Sequence, residues 1–231
     1  LFWRRTSYAI LFLLLSIGLY FPLAKTYQFF GKSSEIEPNF KIISWNAQYL
    51  REPGVNEFFA TEKPDVLIMQ EVYTKNDGFK ELKSEVFGNY YHENNQLTQI
   101  FSKYPIIEFQ QILSAENNNV ACAFYADLDV EDDTIRILNV YLESMFIDKK
   151  LVQESVENLE QTEEKSKIIG GKLAKGFLLH EKQIKQILPF IQRSKHPVIL
   201  GGDLNAVPNS YEYQQISYYL KDAFLEVGKG S

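Results

Sequence analysis

Pro197-Val198-Ile199-Leu200-Gly201-Gly202-Asp203-Leu204-Asn205 reads as a short buried strand that delivers polar side chains to its exit. Its apolar run carries β-branched residues and suits a covered strand, and the glycine pair marks a break where backbone turns tightly or approaches something closely. Asp203 and Asn205 are two apart, so in extended backbone they point to the same side. α/β sheets keep their chemistry at such strand mouths, because loops on a rigid strand end aim polar groups into a crevice. Taken alone, the stretch equally fits an Asx-rich turn, since both residues favour turns through local hydrogen bonds. What decides is that the arrangement recurs.

Phe40 to Asn46 reads as a strand ending on an amide, and Pro64 to Glu71 as a fully buried strand ending on a carboxylate. Between them Asn56 to Glu62 suits a short helix, which gives the strand, crossover, strand order of a parallel pair. A right-handed crossover places Asn46 and Glu71 at one edge of the sheet. An ionised Glu at the end of an apolar strand is costly unless something positive meets it. A hard divalent cation with an amide oxygen as co-ligand is one answer; an Arg or Lys partner is the other.

Five segments in order, Ser44-Trp45-Asn46, Gln70-Glu71, Phe101-Ser102-Lys103-Tyr104-Pro105-Ile106, Asn139-Val140-Tyr141-Leu142-Glu143-Ser144 and Gly202-Asp203-Leu204-Asn205, resemble the successive motifs of the endonuclease/exonuclease/phosphatase superfamily. The resemblance runs from about Phe40 to the end of the chain. It implies an α/β fold, the DNase I-like layered sandwich of two packed mixed sheets flanked by helices. By the same resemblance Glu71 and Asn46 hold a catalytic Mg²⁺, with Mn²⁺ as the alternative. Asp203 then orients or deprotonates the attacking water, Asn205 holds phosphoryl oxygens, and Tyr141 donates to a phosphoryl oxygen. Hydrolysis of a phosphodiester or phosphomonoester needs neutralised non-bridging oxygens and an aligned water, which this set supplies.

Two departures accompany the match. Many members carry His where Tyr141 stands; a Tyr donates a hydrogen bond but carries no positive charge, and it reads equally as a core aromatic. The family also ends on an Asp-bearing strand and a Ser-Asp-His motif, and nothing after Asn205 supplies them. His92, His180 and His196 fall outside the motifs. With Leu1 at one end and Ser231 at the other, the chain is read as a fragment whose C-terminal strands are missing. A catalytically inactive binding or adaptor domain on the same fold is the rival reading.

Thr6 to Ala24 carries no charge and is flanked by Arg4-Arg5 and Lys25. Its length fits a bilayer-spanning helix, with Trp3, Tyr20 and Tyr27 at interfacial positions. A cleaved signal peptide is the alternative. The two arginines against one lysine orient the amino-terminal side to the cytoplasm and the rest of the chain to the periplasm or cell exterior. Residues 1–31 are therefore assigned to a membrane anchor and 32–231 to the catalytic-type domain.

Only three of the 24 basic residues and none of the 30 acidic ones lie in residues 1–31. The remainder holds 30 acidic against 21 basic residues, a formal charge of about −9. Such a surface grips long duplex nucleic acid poorly and favours a small or locally bound phosphoester, with nucleic acid, a lipid head group and small phosphoesters all open as substrates. No protein partner is indicated. The lone Cys122, in a strand-like run, is a small core residue with no internal partner for a disulfide. Ile106–Leu113, 120–128 and 134–141 read as an antiparallel meander. Residues 145–171, rich in Glu and Lys, read as a charged insertion, either a lid or a solvated excursion, ahead of an amphipathic helix over Phe177–Gln192 with a kink at Pro189.

Overall fold

The structure, a computed structural model, describes residues 2–28, 31, 39–115, 120–144 and 162–230. It divides into two compact units, 38–205 and a second made of 1–37 with 206–231.

In the larger unit, β1 (Ile42–Asn46), β2 (Val66–Gln70), β3 (Tyr91–Asn95) and β4 (Thr98–Ser102) form one sheet in the order β1-β2-β4-β3. β5 (Ile106–Leu113), β6 (Cys122–Val130), β7 (Asp133–Tyr141) and β8 (Val198–Asp203) form the other, in sequence order. Each sheet holds one parallel pair made by a helical crossover. α2 (Val55–Glu62) joins β1 to β2, and α4 (Thr162–Gln192) lies between β7 and β8. The crossovers bring both strands of a pair to the same edge, so the C-terminal ends of β1, β2, β7 and β8 carry the loops that matter below.

Strand alternation explains the packing. In β2, Val66 and Ile68 face the second sheet and form a core with Ile100, Phe124, Leu128 and Ile137. Leu67 and Met69 face the other way, onto Phe59 of α2 and onto Phe79 and Leu82 of α3 (Asp77–Glu85). Every residue of β2 is buried, which is why it reads as a continuous apolar run. α4 buries Ile184, Ile187, Leu188 and Ile191, the expected stripe.

Three expectations change. β8 does not stop at the glycines but runs through them to Asp203. Gly201 is where the sheets touch: a Cβ there would lie 2.6 Å from Cδ1 of Ile68 and 3.2 Å from Cβ of Ser44. Gly202, at φ +141°, leaves no room at all, since a Cβ would stand 1.9 Å from the carbonyl oxygen of Val140. The glycines permit close approach instead of breaking the strand. β3 was not foreseen, because Tyr91-His92-Glu93-Asn94-Asn95 is a polar edge strand without an apolar face. The helix expected from Phe177 begins at Thr162 and carries Gly170 and Gly171 in its interior. Residues 162–171 of the expected insertion are thus helical, while 145–161 lie outside the described residues.

In the smaller unit α1 (Phe2–Thr26) is long and apolar enough to cross a membrane; over Thr6–Thr26 its mean hydropathy is 1.9 and none of its described residues is buried. A signal sequence meets the same criterion. α5 (Tyr211–Ser217) and α6 (Ala223–Val227) are capped by Ser210 and Asp222. They meet the end of α1 through paired backbone hydrogen bonds between Gln28 and Gly230, both 2.8 Å, and Lys25 over the Tyr213 ring at 5.8 Å.

Candidate active site

Register fixes the site before any side chain is considered. Asn46 pairs with Gln70 at the end of the β1–β2 ladder, so Glu71 follows one residue on. Tyr141 pairs with Asp203 at the end of β7–β8. The two parallel pairs thus present an amide, two carboxylates and a phenol at strand ends, and Asn205 joins them from the turn after β8.

These five residues, far apart in sequence, meet. The Asn46 side-chain NH₂ donates to Oε1 of Glu71 at 2.9 Å and to Oδ2 of Asp203 at 2.8 Å. The Tyr141 hydroxyl donates to the same Glu71 Oε1 at 3.1 Å. Oδ1 of Asp203 accepts the backbone N–H of Asn205 at 2.8 Å, and Asn205 Nδ2 donates to the carbonyl of Leu142 at 2.9 Å. The Asx-type turn weighed from the sequence is therefore present: one Asp203 oxygen shapes the loop and the other faces the cluster.

The backbone is held in uncommon conformations here. Glu71 has φ +58°, Asn205 φ +47°, and Gln48, Tyr49 and Leu50 run consecutively at +42°, +63° and +58°. Left-handed non-glycine residues cost about 1–3 kcal/mol each and cluster where surroundings over-determine them. The surroundings are visible: Ala47 N–H donates to Gln70 O and Tyr49 N–H to Glu71 O, while Gln48 N–H donates to Oδ1 of Asn46.

Among the described residues no Lys, Arg or His forms an ion pair with Glu71 or Asp203. Two carboxylates bridged by one amide, without a protein cation, form an oxygen-donor set suited to a hard divalent ion. The set is sparse: no group of three or more His, Cys, Asp or Glu residues placed to share a metal occurs among the described residues. The Asn46 NH₂, and not its carbonyl, faces the carboxylates. A half-turn of the amide brings the oxygen round at the expense of the Gln48 bond and of both NH₂ bonds to the carboxylates. Burial, then the Glu71 carboxylate and the hydrogen bond to it, push the Tyr141 hydroxyl well above the ordinary phenol range, so it stays a neutral donor.

Two residues that sequence reasoning left without a role lie beneath the cluster. Gln70 Nε2 donates to Oδ1 of Asn139 at 2.7 Å, and Asn139 Nδ2 donates to the carbonyls of Met69 and Gln99, both at 3.0 Å. This buried amide pair joins the two sheets directly below Glu71 and Tyr141. Its signal in the sequence is an amide one or two residues before a site residue, Gln70 before Glu71 and Asn139 before Tyr141. The histidines lie elsewhere: His92 between Lys83 and Gln99, His180 against the carbonyl of Glu143, His196 in the turn before β8.

No protein family and no curated protein matches the sequence. Solved structures do match the fold. A humanized D. rerio TDP2 superposes with TM-score 0.53 at 17% identity, over 77% of this chain and 70% of that one. Beta toxin from Staphylococcus aureus gives 0.54 at 17% identity, over 79% and 71%. Sphingomyelinase C from Streptomyces griseocarneus gives 0.51 at 18% identity, over 79% and 70%.

Proposed function

From a chain that has the DNase I-like fold, we propose a metal-dependent phosphoesterase that hydrolyses its substrate by in-line attack of water. The observation that carries this reading is the convergence of Asn46, Glu71 and Asp203 at the ends of two parallel strand pairs. Two of the similar structures are a TDP2 and a sphingomyelinase C, names that fit the same kind of chemistry.

Glu71 and Asn46 would hold the Mg²⁺ or Mn²⁺. That ion, when bound, supplies the charge that neutralises the non-bridging oxygens of the phosphoryl group. Asp203 accepts a hydrogen bond from the attacking water through Oδ2 and takes its proton as the oxygen bonds to phosphorus. The second hydrogen of Asn205 Nδ2 and the Tyr141 hydroxyl donate to phosphoryl oxygens. The bond from phosphorus to the leaving oxygen breaks, and that oxygen takes a proton from solvent.

α1 tethers the enzyme to a membrane, and the Arg4-Arg5 pair keeps its amino-terminal side cytoplasmic, with residues 38–205 on the periplasmic or extracellular side. Replacing Glu71 with Gln tests the reaction. Metal-dependent hydrolysis across a panel of nucleic acid, lipid head-group and small phosphoester substrates is expected to fall at least about 100-fold, by loss of an electrostatic group of the kind worth several kcal/mol. Unchanged activity on every substrate cut would refute the assignment.

A further inference from the structure

Beside the phosphate centre stands a feature the reaction does not use. The rings of Tyr49 and Tyr73 stack at 5.7 Å between centroids and 15° between planes. Tyr73 is 52% exposed although it belongs to a loop two residues past Glu71. The Arg51 guanidinium lies over the Tyr49 ring at 5.6 Å, and among the described residues no carboxylate pairs with it.

The pair is built, not incidental. Tyr49 N–H donates to the carbonyl of Glu71 itself at 3.0 Å. Asn76 then ties both tyrosines down, its N–H donating to Tyr73 O at 3.0 Å and its side chain to Tyr49 O at 3.1 Å. Its Oδ1 caps α3 through Phe79 N–H, so the loops after β1 and β2 are anchored on one helix end. The strained run Gln48–Leu50 serves to hold Tyr49 in this place.

We propose that Tyr49, Tyr73 and Arg51 form a nucleobase-stacking subsite, so that the phosphoester cut at this centre is one linked to an unpaired base, in a single strand or a nucleotide. The inference rests on the phosphoesterase reading. An exposed aromatic face next to a phosphate site is what sequence-tolerant binding of unpaired bases uses, with a nearby arginine for the backbone. A base in a duplex is already stacked on both faces, and the acidic surface gives a duplex little to hold. A lipid head group bearing a quaternary ammonium would use the same rings, but Arg51 already takes the Tyr49 face as its cation–π partner and repels a second cation.

The test compares binding of two phosphorothioate-linked tetranucleotides, one with bases and one abasic, to the detergent-solubilised chain in Mg²⁺. The base-bearing strand is expected to bind about five- to 150-fold tighter. Tyr73→Ala should bring that ratio close to one, and Tyr73→Phe should keep it. A ratio unchanged by Tyr73→Ala overturns the subsite. So does a Tyr73 dependence seen with sphingomyelin in mixed micelles and not with the strands. Hydrolysis by Glu71→Gln separates the two readings. Activity that survives Glu71→Gln while the base preference still needs Tyr73 removes the Glu71-centred mechanism and keeps the subsite. Activity lost in Glu71→Gln with a base preference indifferent to Tyr73 does the reverse.

Discussion

At the scale of single residues, each polar atom of the cluster has a proposed task that a one-atom change can remove. Tyr141→Phe deletes only the hydroxyl that meets Glu71. It should lower kcat/KM by roughly 10- to 150-fold, the value of one hydrogen bond to a charged group at about 1.5–3 kcal/mol, with little change in melting temperature. Steady-state kinetics and a thermal melt read both halves of that statement. His92 makes a different kind of prediction. Burial, with Lys83 close to its Nδ1, pulls its pKa down to about 4, while Gln99 accepting from Nε2 opposes the shift. The folded protein therefore keeps His92 neutral where the unfolded chain, at about 6.5, takes up a proton. Stability is full above pH 6.5 and declines as pH falls toward 4, by on the order of 1–2 kcal/mol once partial exposure is discounted. Urea midpoints at pH 7, 5 and 4 should show that decline, and His92→Phe, which keeps the ring packing against Phe79 and Phe101, should flatten it. Asn46, Glu71, Asp203 and Asn205 were legible as polar groups at the exits of apolar strands, and Tyr141 through the resemblance alone. Gln70 and Asn139 were not read as a pair, because nothing local in either strand states that the two sheets meet there.

Between elements, register and close approach do the work. Asp127 and Arg136 pair directly across β6 and β7. The guanidinium grips the carboxylate with both hydrogen bonds at 2.7 Å and lies 3.7 Å from the Tyr125 ring centroid. Asp127 is almost fully buried, so Asp127→Ala strands a cation and should cost about 3–5 kcal/mol in chemical denaturation, more than an exposed ion pair ever contributes. Gly202→Ala makes the sharper case, since the added methyl meets backbone and the φ is one that L residues rarely adopt. A loss of about 3 kcal/mol or more, or failure to fold, is expected in the same assay. The strand order was legible from apolar runs and helical crossovers; of the two purposes open for the glycine pair, a tight turn and a close approach, the second holds, and β3 left no apolar alternation to find. One reason covers both: a glycine's purpose and an edge strand's pairing are set by neighbours distant in sequence.

On the scale of the whole molecule, two parallel strand pairs in two packed sheets aim their ends at one place, and that convergence is the content of the fold for function. α1 adds a separate property, a helix with exposed side chains such as Phe12, Leu14 and Leu19. An integral anchor keeps the chain in the membrane pellet after carbonate washing, whereas a cleaved signal sequence releases it. Asn46, Glu71 and Asp203 are proposed to form one divalent-cation site, and Mn²⁺ titration followed by electron paramagnetic resonance measures it without needing a substrate. A single bound ion per chain is expected, which Glu71→Gln weakens at least about tenfold because one of few charged oxygen ligands is neutralised. Equal Mn²⁺ binding by the parent chain and Glu71→Gln would contradict it.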